Sequence, residues 1–428
     1  MTQQDLLPRV NRNESASARR LRQVETHGYN GLALLTTYDG WRYFEPSDID
    51  GFVPYELHRG TAVACGDPVC PEADLPRMMA RFAEYCAGRR WRFTFVGASA
   101  RAGKIANQLG FHAVKIGEEP FFDLRQYSLS GKGAKKARSA VNLARRSGIV
   151  VEEYRDASPA IDSEIEEIAR EWLDSRDAPA MGFLLRSRPF AQRARKRIFI
   201  ATHEGRVVGA MTCAPAPARD LLYVVEQVRR VDAPYGTSEI LIDEARRAAQ
   251  TEGFSLFSLG TSPLQGANAQ PFGKFRLLGL FFKALTSKAN FIYNVRSLSH
   301  FKKKFAPTFW EDNFVIYSGG LLLPAFAVFT AFAPDGIPSL VLPKRMQWLR
   351  FVPSAALWTA ALAGVFVTGF SAWEFPVLQL PVRFALHTLL FARGPADLAL
   401  DGALAHRLIS TVVLLGAAAV AWQRRARA

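Results

Sequence analysis

The chain has 428 residues, and 49% of them are hydrophobic against 22% charged, with 31 Phe and 8 Trp. That length exceeds one compact core, and the composition excludes a disordered chain. Fifty-four Lys and Arg against 39 Asp and Glu leave a formal charge of +15, which favours polyanionic partners, nucleic acid or anionic lipid. Cys65, Cys70, Cys86 and Cys213 show neither zinc spacing nor a CxxC, so they read as core thiols in a reducing compartment.

Residues 1–29 are polar and lack the apolar stretch of a signal peptide, so the N-terminus is expected in the cytosol. Residues 30–130 read as a first mixed α/β unit. Ala33–Phe44 suggests a hairpin around Asp39-Gly40, Gly60–Cys65 a strand, Asp74–Gly88 an amphipathic helix, and Trp91–Ala98 a strand followed by a helix to Leu109. Residues 131–150 form a linker. Its core, Ser130–Gly148, has six basic residues and no acidic one (Lys132, Lys135, Lys136, Arg138, Arg145, Arg146), which predicts a basic helix for phosphate contacts.

Residues 151–318 read as a second unit. Ile161–Leu173 is a helix, Arg197–Cys213 a hairpin turning at Glu204-Gly205, Leu221–Val231 a strand, 238–252 a helix and Phe254–Leu259 a strand. Asn313–Ser318 is expected to close this second unit. The succession resembles the N-acetyltransferase-like (GNAT) fold, in which the cleft beside a splayed central strand holds the acyl donor. The first half repeats the layout more weakly, so the fold expected is α/β (α+β), two tandem GNAT-like units.

From residue 319 onward the chain becomes Ala/Leu/Val/Phe-rich. Segment 351–373 carries no charged side chain and is long enough to cross a bilayer of ~30 Å; 406–423 is a second span flanked by arginines. Lys344, Arg345 and Arg350 before the first, and Arg424, Arg425 and Arg427 after the second, predict a hairpin with both ends cytosolic. Residues 374–405 suit a short outer-face element, and 321–333 is too short to span and suits the interface. A buried core hairpin is the alternative.

Glu226 and Arg229 lie on a strand predicted to run through the core, where charges must pair or face a cavity. A carboxylate there could hold an ammonium group and an arginine a carbonyl or phosphate oxygen; the plain alternative is an ion pair or a solvated edge. Glu171 and Trp172 sit on the helix Ile161–Leu173, where an aromatic core anchor beside a surface charge is the ordinary reading. His300-Phe301-Lys302-Lys303-Lys304-Phe305 mixes aromatics and cations and suits phosphate contacts or a solvated helix face. No P-loop, pyrophosphate-cradling glycine run, HExxH or GxSxG occurs, so nucleotide, coenzyme A, metal and serine-triad chemistry find no support.

Ala64-Cys65-Gly66-Asp67-Pro68-Val69, Leu109-Gly110-Phe111, Lys115–Glu119, Tyr127–Lys132, Glu171-Trp172-Leu173, Met181-Gly182-Phe183, Asp232–Gly236, Ser258–Leu264, Tyr293-Asn294 and Phe301–Phe305 occur in that order. Jointly they resemble the catalytic domain (DUF2156) of the aminoacyl-phosphatidylglycerol synthases, the phosphatidylglycerol lysyltransferases of multiple-peptide-resistance type, over about 30–318. The resemblance implies a transferase that moves lysine or alanine from aminoacyl-tRNA, its co-substrate, to phosphatidylglycerol through a tunnel between two units, with no other cofactor and no metal. By position it puts Glu226 where the family usually has an aspartate for the aminoacyl group, and Arg229 three residues on. Glu171, Trp172, Gly260, Lys302 and Lys304 become substrate-binding candidates, and Lys135, Lys136, Arg138, Arg145 and Arg146 contacts for tRNA. It further implies a bacterial cytoplasmic membrane location, with the lipid flipped by a separate partner. Glu226 is one methylene longer than aspartate, which leaves the amino acid open. Rival readings are a GNAT-like acyltransferase with an acyl-CoA donor making an aminolipid, and a non-catalytic lipid- or RNA-binding module.

Overall fold

The structure is a computed structural model that describes residues 14–175, 183, 187–267, 269, 271 and 295–332, all within one compact unit, Met1–Lys344. The expected spans 351–373 and 406–423, the 374–405 connection, Met181-Gly182 and Tyr293-Asn294 lie outside the described residues. Among the described residues no helix is long and apolar enough to cross a membrane.

In chain order the elements are α1 (Ala16–His27), β1 (Arg42–Phe44), β2 (Val53–His58), β3 (Thr61–Cys65), α2 (Leu75–Gly88), β4 (Arg92–Ala98), α3 (Ala100–Gln108), β5 (His112–Asp123), α4 (Lys135–Arg146), β6 (Val150–Glu153), α5 (Pro159–Asp174), β7 (Arg197–His203), β8 (Arg206–Ala216), β9 (Leu221–Arg229), α6 (Thr237–Thr251), β10 (Leu256–Ser258), β11 (Ser262–Pro263), α7 (Val295–Lys303), β12 (Phe309–Tyr317) and α8 (Leu322–Phe332). The strands form one mixed sheet in the order β1-β2-β3-β4-β12-β5-β10-β9-β8-β7-β6, with β11 paired to β5. Two pairs are parallel, β3 with β4 across α2 and β9 with β10 across α6; a parallel pair needs such a crossover, and a helix supplies it. The other pairs are antiparallel.

β12 does not close the second half of the sheet. It inserts into the first, pairing β4 on one side (Phe314↔Ala98) and β5 on the other, from Tyr317↔His112 to Phe309↔Phe121. In exchange β5 reaches beyond its own half and pairs β10 of the second (Phe122↔Phe257). Each half therefore lends the other its last strand, and the two share a continuous sheet.

The expected hairpin over Ala33–Phe44 is absent. Ala33–Thr37 is a buried 3₁₀ turn because Thr36 and Thr37 donate their hydroxyls to the carbonyls of Ala33 and Leu34, at 2.6 and 2.8 Å, and this local bonding outcompetes a ladder. Arg42–Phe44 instead pairs β2 (Tyr43↔Pro54). Segment 321–333, expected at a bilayer interface, forms α8, which buries Ala327 and Ala331 with Val63, Cys65 and Val96 and leaves Leu323 and Phe329 exposed.

Three larger helix-covered cores accompany the one under α8. α2 and α3 seal Phe82, Phe93, Phe95 and Phe314; α4 and α6 seal Phe122, Met211, Leu241 and Phe257; α5 seals Ile165, Ile168 and Ile200. Each such side chain contributes about 1.5–3 kcal/mol by leaving water. α4 and α6 meet closely because α4 turns an alanine face (Ala137, Ala140, Ala144) inward and Gly236 opens α6 at φ +94°. A Cβ at Gly236 would sit 2.5 Å from the Ala140 carbonyl oxygen. Gly236→Ala should therefore cost about 1–3 kcal/mol, read as a lowered urea midpoint; an unchanged midpoint would contradict this close approach.

Candidate functional site

β8 and β9 run antiparallel, but the register slips so that Thr212 opposes Glu226 while Cys213 opposes Val224. Val225 is the extra residue of a bulge, and a bulge re-aims the side chains beside it. Tyr223 and Glu226 consequently both meet the covering segment 29–38. A Cβ on Gly31 would fall 2.1 Å from the Tyr223 ring, and the Tyr38 phenol lies in the field of Glu226. Three strand positions separate Tyr223 from Glu226 by about 10 Å.

Around Glu226, burial pushes its carboxyl above the usual range, opposed by a hydrogen bond from Ser187, the charge of Lys196 and the backbone N–H of Arg188. Lys196 is buried, donates to the carbonyls of Arg188 and Pro189 at 2.8 and 3.4 Å, and lies 4.9 Å from the Tyr38 ring centroid. Burial brings its ammonium down to about 8, with Glu226 opposing the fall. Two hydroxyls here, Tyr38 Oη and Thr212 Oγ1, are buried without a hydrogen-bond partner. Native interiors rarely leave such groups unpaired. An adjoining cleft is lined by Leu35, Tyr38, Asp39, Trp41, Glu56 and Arg188 among others. A half-buried carboxylate and two unsatisfied hydroxyls can take up a ligand that carries both cation and hydrogen-bonding groups.

A second polar cluster forms where β5, β10 and α7 meet. Ser258 donates its hydroxyl to Glu119 Oε1 at 2.6 Å and accepts from the Gly260 N–H at 3.0 Å. Lys302 reaches in from α7 and donates to the carbonyls of Gly260 and Thr261 at 2.7 and 2.9 Å. Burial pushes Glu119 up to about 7 against the opposing Ser258 hydrogen bond and the charges of Arg219 and Lys302, while Glu311 adds to the rise. Burial likewise pulls Lys302 down to about 7, with Glu119 holding it up. Tyr223 packs its hydroxyl near Gly260, where a Cβ would lie 3.0 Å from it, and so connects this cluster to the Glu226 end of the same strand.

The other expected site residues fall elsewhere. Arg229 is exposed and donates to the carbonyl of Arg230 at 3.0 Å, so it does not share a cleft with Glu226. In a strand, positions three apart face opposite sides, and the bulge lies before Glu226, not between the two. Glu171 binds Arg230 at 2.8 Å, beside Glu167 at 2.8 Å and Glu164 at 3.7 Å. Trp172 packs on the α5 core. Both lie at the far end of β9 and hold α5 to the sheet. Lys304 pairs with Glu239 at the start of α6 and lies 3.9 Å from the Phe301 ring centroid. On α4, Lys135, Lys136 and Arg146 are exposed; Arg138 is held by the carbonyls of Leu129 and Gly131, and Arg145 by Asp243 and Glu244 at 3.0 and 2.6 Å.

Glu119, Ser258, Lys196, Tyr38 and Thr212 are not among the site residues expected from the sequence, although Glu119 and Ser258 belong to the family-like runs Lys115–Glu119 and Ser258–Leu264. Glu119 carried a usable signal, an acid in the long strand His112–Asp123, under the rule that singled out Glu226. Tyr38 and Lys196 carried none, because tertiary packing alone buries them.

The comparisons bear on this arrangement. Residues 21–317 match the family model described as phosphatidylglycerol lysyltransferase, C-terminal. The lysylphosphatidylglycerol biosynthesis bifunctional protein LysX of Gordonia bronchialis is 25% identical over 306 residues, 69% of this chain and 26% of that protein. The phosphatidylglycerol lysyltransferase of Bacillus subtilis is 23% identical over 293 residues, 68% of this chain and 34% of that protein. The chain thus spans about a quarter to a third of the length of these curated relatives. Among solved structures, the C-terminal domain (DUF2156) assigned to a lysylphosphatidylglycerol synthetase from Agrobacterium fabrum aligns with a TM-score of 0.63 at 19% identity, over 74% of this chain and 97% of that one. L-PGS from Bacillus licheniformis gives 0.60 at 21% identity, over 73% and 94%. These two share the mixed α/β fold, and with the family model matched across most of the described residues, the chain belongs to the phosphatidylglycerol lysyltransferase C-terminal family, a family of transferases.

Proposed function

We propose that this protein is a membrane-tethered aminoacyltransferase that moves an amino acid from charged tRNA to phosphatidylglycerol or a related anionic lipid, on the cytosolic side of a bacterial membrane. The observation that carries the reading is Glu226: a half-buried carboxylate, raised by desolvation and flanked by two unpartnered hydroxyls, inside the region that matches the family. The strands and crossover helices of the two halves are read as tandem GNAT-like units, and the apolar segments 351–373 and 406–423 as the tether.

In this reading the reaction is an ester exchange. The aminoacyl ester of tRNA is already activated, so the protein aligns a lipid hydroxyl with its carbonyl carbon, removes the hydroxyl proton and stabilises the oxyanion. An incoming ammonium group offsets the desolvation of Glu226 and keeps it ionised, while Tyr38 and Thr212 gain hydrogen-bond partners. The exposed Lys135, Lys136 and Arg146 of α4 suit the phosphates of the tRNA. In this reading Lys302, at the Tyr223 end of the strand, acts on the reacting hydroxyl.

Purified protein given radiolabelled Lys-, Ala- or Arg-tRNA and phosphatidylglycerol vesicles should carry label into the lipid phase. Label that enters lipid only from an acyl-CoA, or binding without turnover, would overturn the reading. Glu226→Ala should cut kcat/KM at least about 100-fold, because the binding group for the cation is lost, with the unfolding midpoint near wild type. Turnover at the wild-type rate would remove Glu226 from the site. Replacing Lys135, Lys136 and Arg146 together by glutamate should weaken tRNA binding and lower the slope of log K against log salt by about 2, at roughly 0.7 per lost phosphate contact. An unchanged slope would place the tRNA on another surface.

A further inference from the structure

We infer that Glu119 is a positioning residue for the transfer: through Ser258 and Gly260 it fixes the Lys302 side chain in place and governs when that amine can take the proton of the attacking lipid hydroxyl. The inference rests on the transferase reading above and adds to it a residue that the sequence analysis did not name as a site residue.

The geometry comes from three elements far apart in sequence. Glu119 is on β5, Ser258 on β10 and Lys302 on α7. Ser258 uses its proton on Glu119 and its lone pair on the Gly260 N–H, at 2.6 and 3.0 Å. The carbonyls of Gly260 and Thr261 then take two of the three donors of Lys302. The carboxylate thus anchors the turn that holds the amine.

The groups facing Glu119 include two cations, Arg219 and Lys302, of which Arg219 has the larger influence. They are Ser258, Arg219, Lys302 and Glu311, with Tyr223 beside it. Arg219 is engaged by Glu311 and lies 4.1 Å from the Phe121 ring centroid, so its charge is shared between two carboxylates. Both remaining groups are shifted by burial to about 7. Burial therefore disfavours the charged form of each group, while the charge of each favours that of the other.

The step balances. The neutral Lys302 amine accepts the hydroxyl proton as the hydroxyl oxygen bonds to the aminoacyl carbonyl carbon. The bond from that carbon to the tRNA ribose oxygen breaks, and the ammonium returns the proton to the departing oxygen. One ester forms, one is lost, and nothing is oxidised or reduced.

The sign of the effect is fixed. Removing the Glu119 charge withdraws what holds the ammonium up, so Lys302 loses its proton at lower pH. In full-length protein with phosphatidylglycerol vesicles and the charged tRNA it accepts, Glu119→Gln should move the acid limb of kcat down by about one pH unit or more. The maximal kcat should fall about 10-fold, and KM for charged tRNA should stay within about 3-fold. Glu119→Asp should return the limb toward wild type, and Lys302→Met should cut kcat at least about 100-fold and abolish the limb. If Glu119→Gln does not fold, Ser258→Ala should give a smaller shift of the same sign. An acid limb that stays in place or rises would overturn the inference. Independently of turnover, the ¹³Cε resonance of Lys302, assigned by its loss in Lys302→Met, should titrate near neutrality and at lower pH in Glu119→Gln. Identical titrations would overturn the link even in an active enzyme, whereas the expected titrations in a protein that transfers nothing would instead overturn the transferase reading.

Discussion

The pairing of β5 with β12 is the constraint on which the rest depends. These strands lie far apart in the chain, with Asp123 in β5 and Phe309 in β12 separated by 186 residues, and each leaves its own half to stand in the other. Without that exchange there would be two smaller sheets with four exposed edges, which proteins avoid. With it, Glu119 of β5 lies opposite Glu311 of β12 and within reach of Ser258 of β10. Closing so long a loop adds little entropy beyond a shorter one, since the cost grows only logarithmically with length, and the aromatic core built on Phe121, Phe122, Phe257, Phe309 and Phe314 offsets it.

Buried charge is handled in two ways, and the contrast separates structure from site. Arg230 is enclosed but answered by Glu164, Glu167 and Glu171, and its guanidinium charge is held more firmly than usual despite burial. Lys115, likewise buried, has Glu118 and Asp312 at 2.7 and 2.6 Å, and it too is held up. Glu226, Lys196, Glu119 and Lys302 are shifted the other way, toward neutrality, because desolvation outweighs their partners. Groups left in that condition on a fold that elsewhere pairs its charges generously are the ones that the proposed transfer uses.

Local pattern made much of the fold legible. The period of 3.6 marks α2, α4 and α6, the alternation around Glu204-Gly205 marks β7 and β8, and the basic run marks α4. The reciprocal strand exchange was not legible, because Asn313–Ser318 carries the same alternating pattern whichever neighbour it joins. The 33–44 segment misled for the opposite reason: its β-branched and aromatic residues suit a strand, but the Thr36 and Thr37 hydroxyls fold it locally. Within the site, Glu226 stood out as a charge in an apolar strand. The pairing with Arg229 failed on strand parity, and the Asp67 of the Gly-Asp-Pro motif proved to be a bracket, accepting from the Ser99 N–H and hydroxyl at 2.8 and 2.6 Å to start α3.

An ester already activated by attachment to tRNA changes what the protein must provide. Attack by an alcohol on such an ester needs alignment and a proton acceptor matched to the surrounding pH, and efficiency is greatest when the acceptor loses its own proton near that pH. An exposed lysine stays protonated about three units too high to serve. Burying Lys302 alone would deprotonate it, but at the risk of leaving an unanchored amine in an apolar interior. In the proposed arrangement Glu119, through Ser258, steadies the turn whose Gly260 and Thr261 carbonyls hold the amine, and burial weakens that amine's hold on its proton. A site of this kind requires no bound metal and no covalent intermediate, only a sheet that brings β5, β10 and α7 to one point.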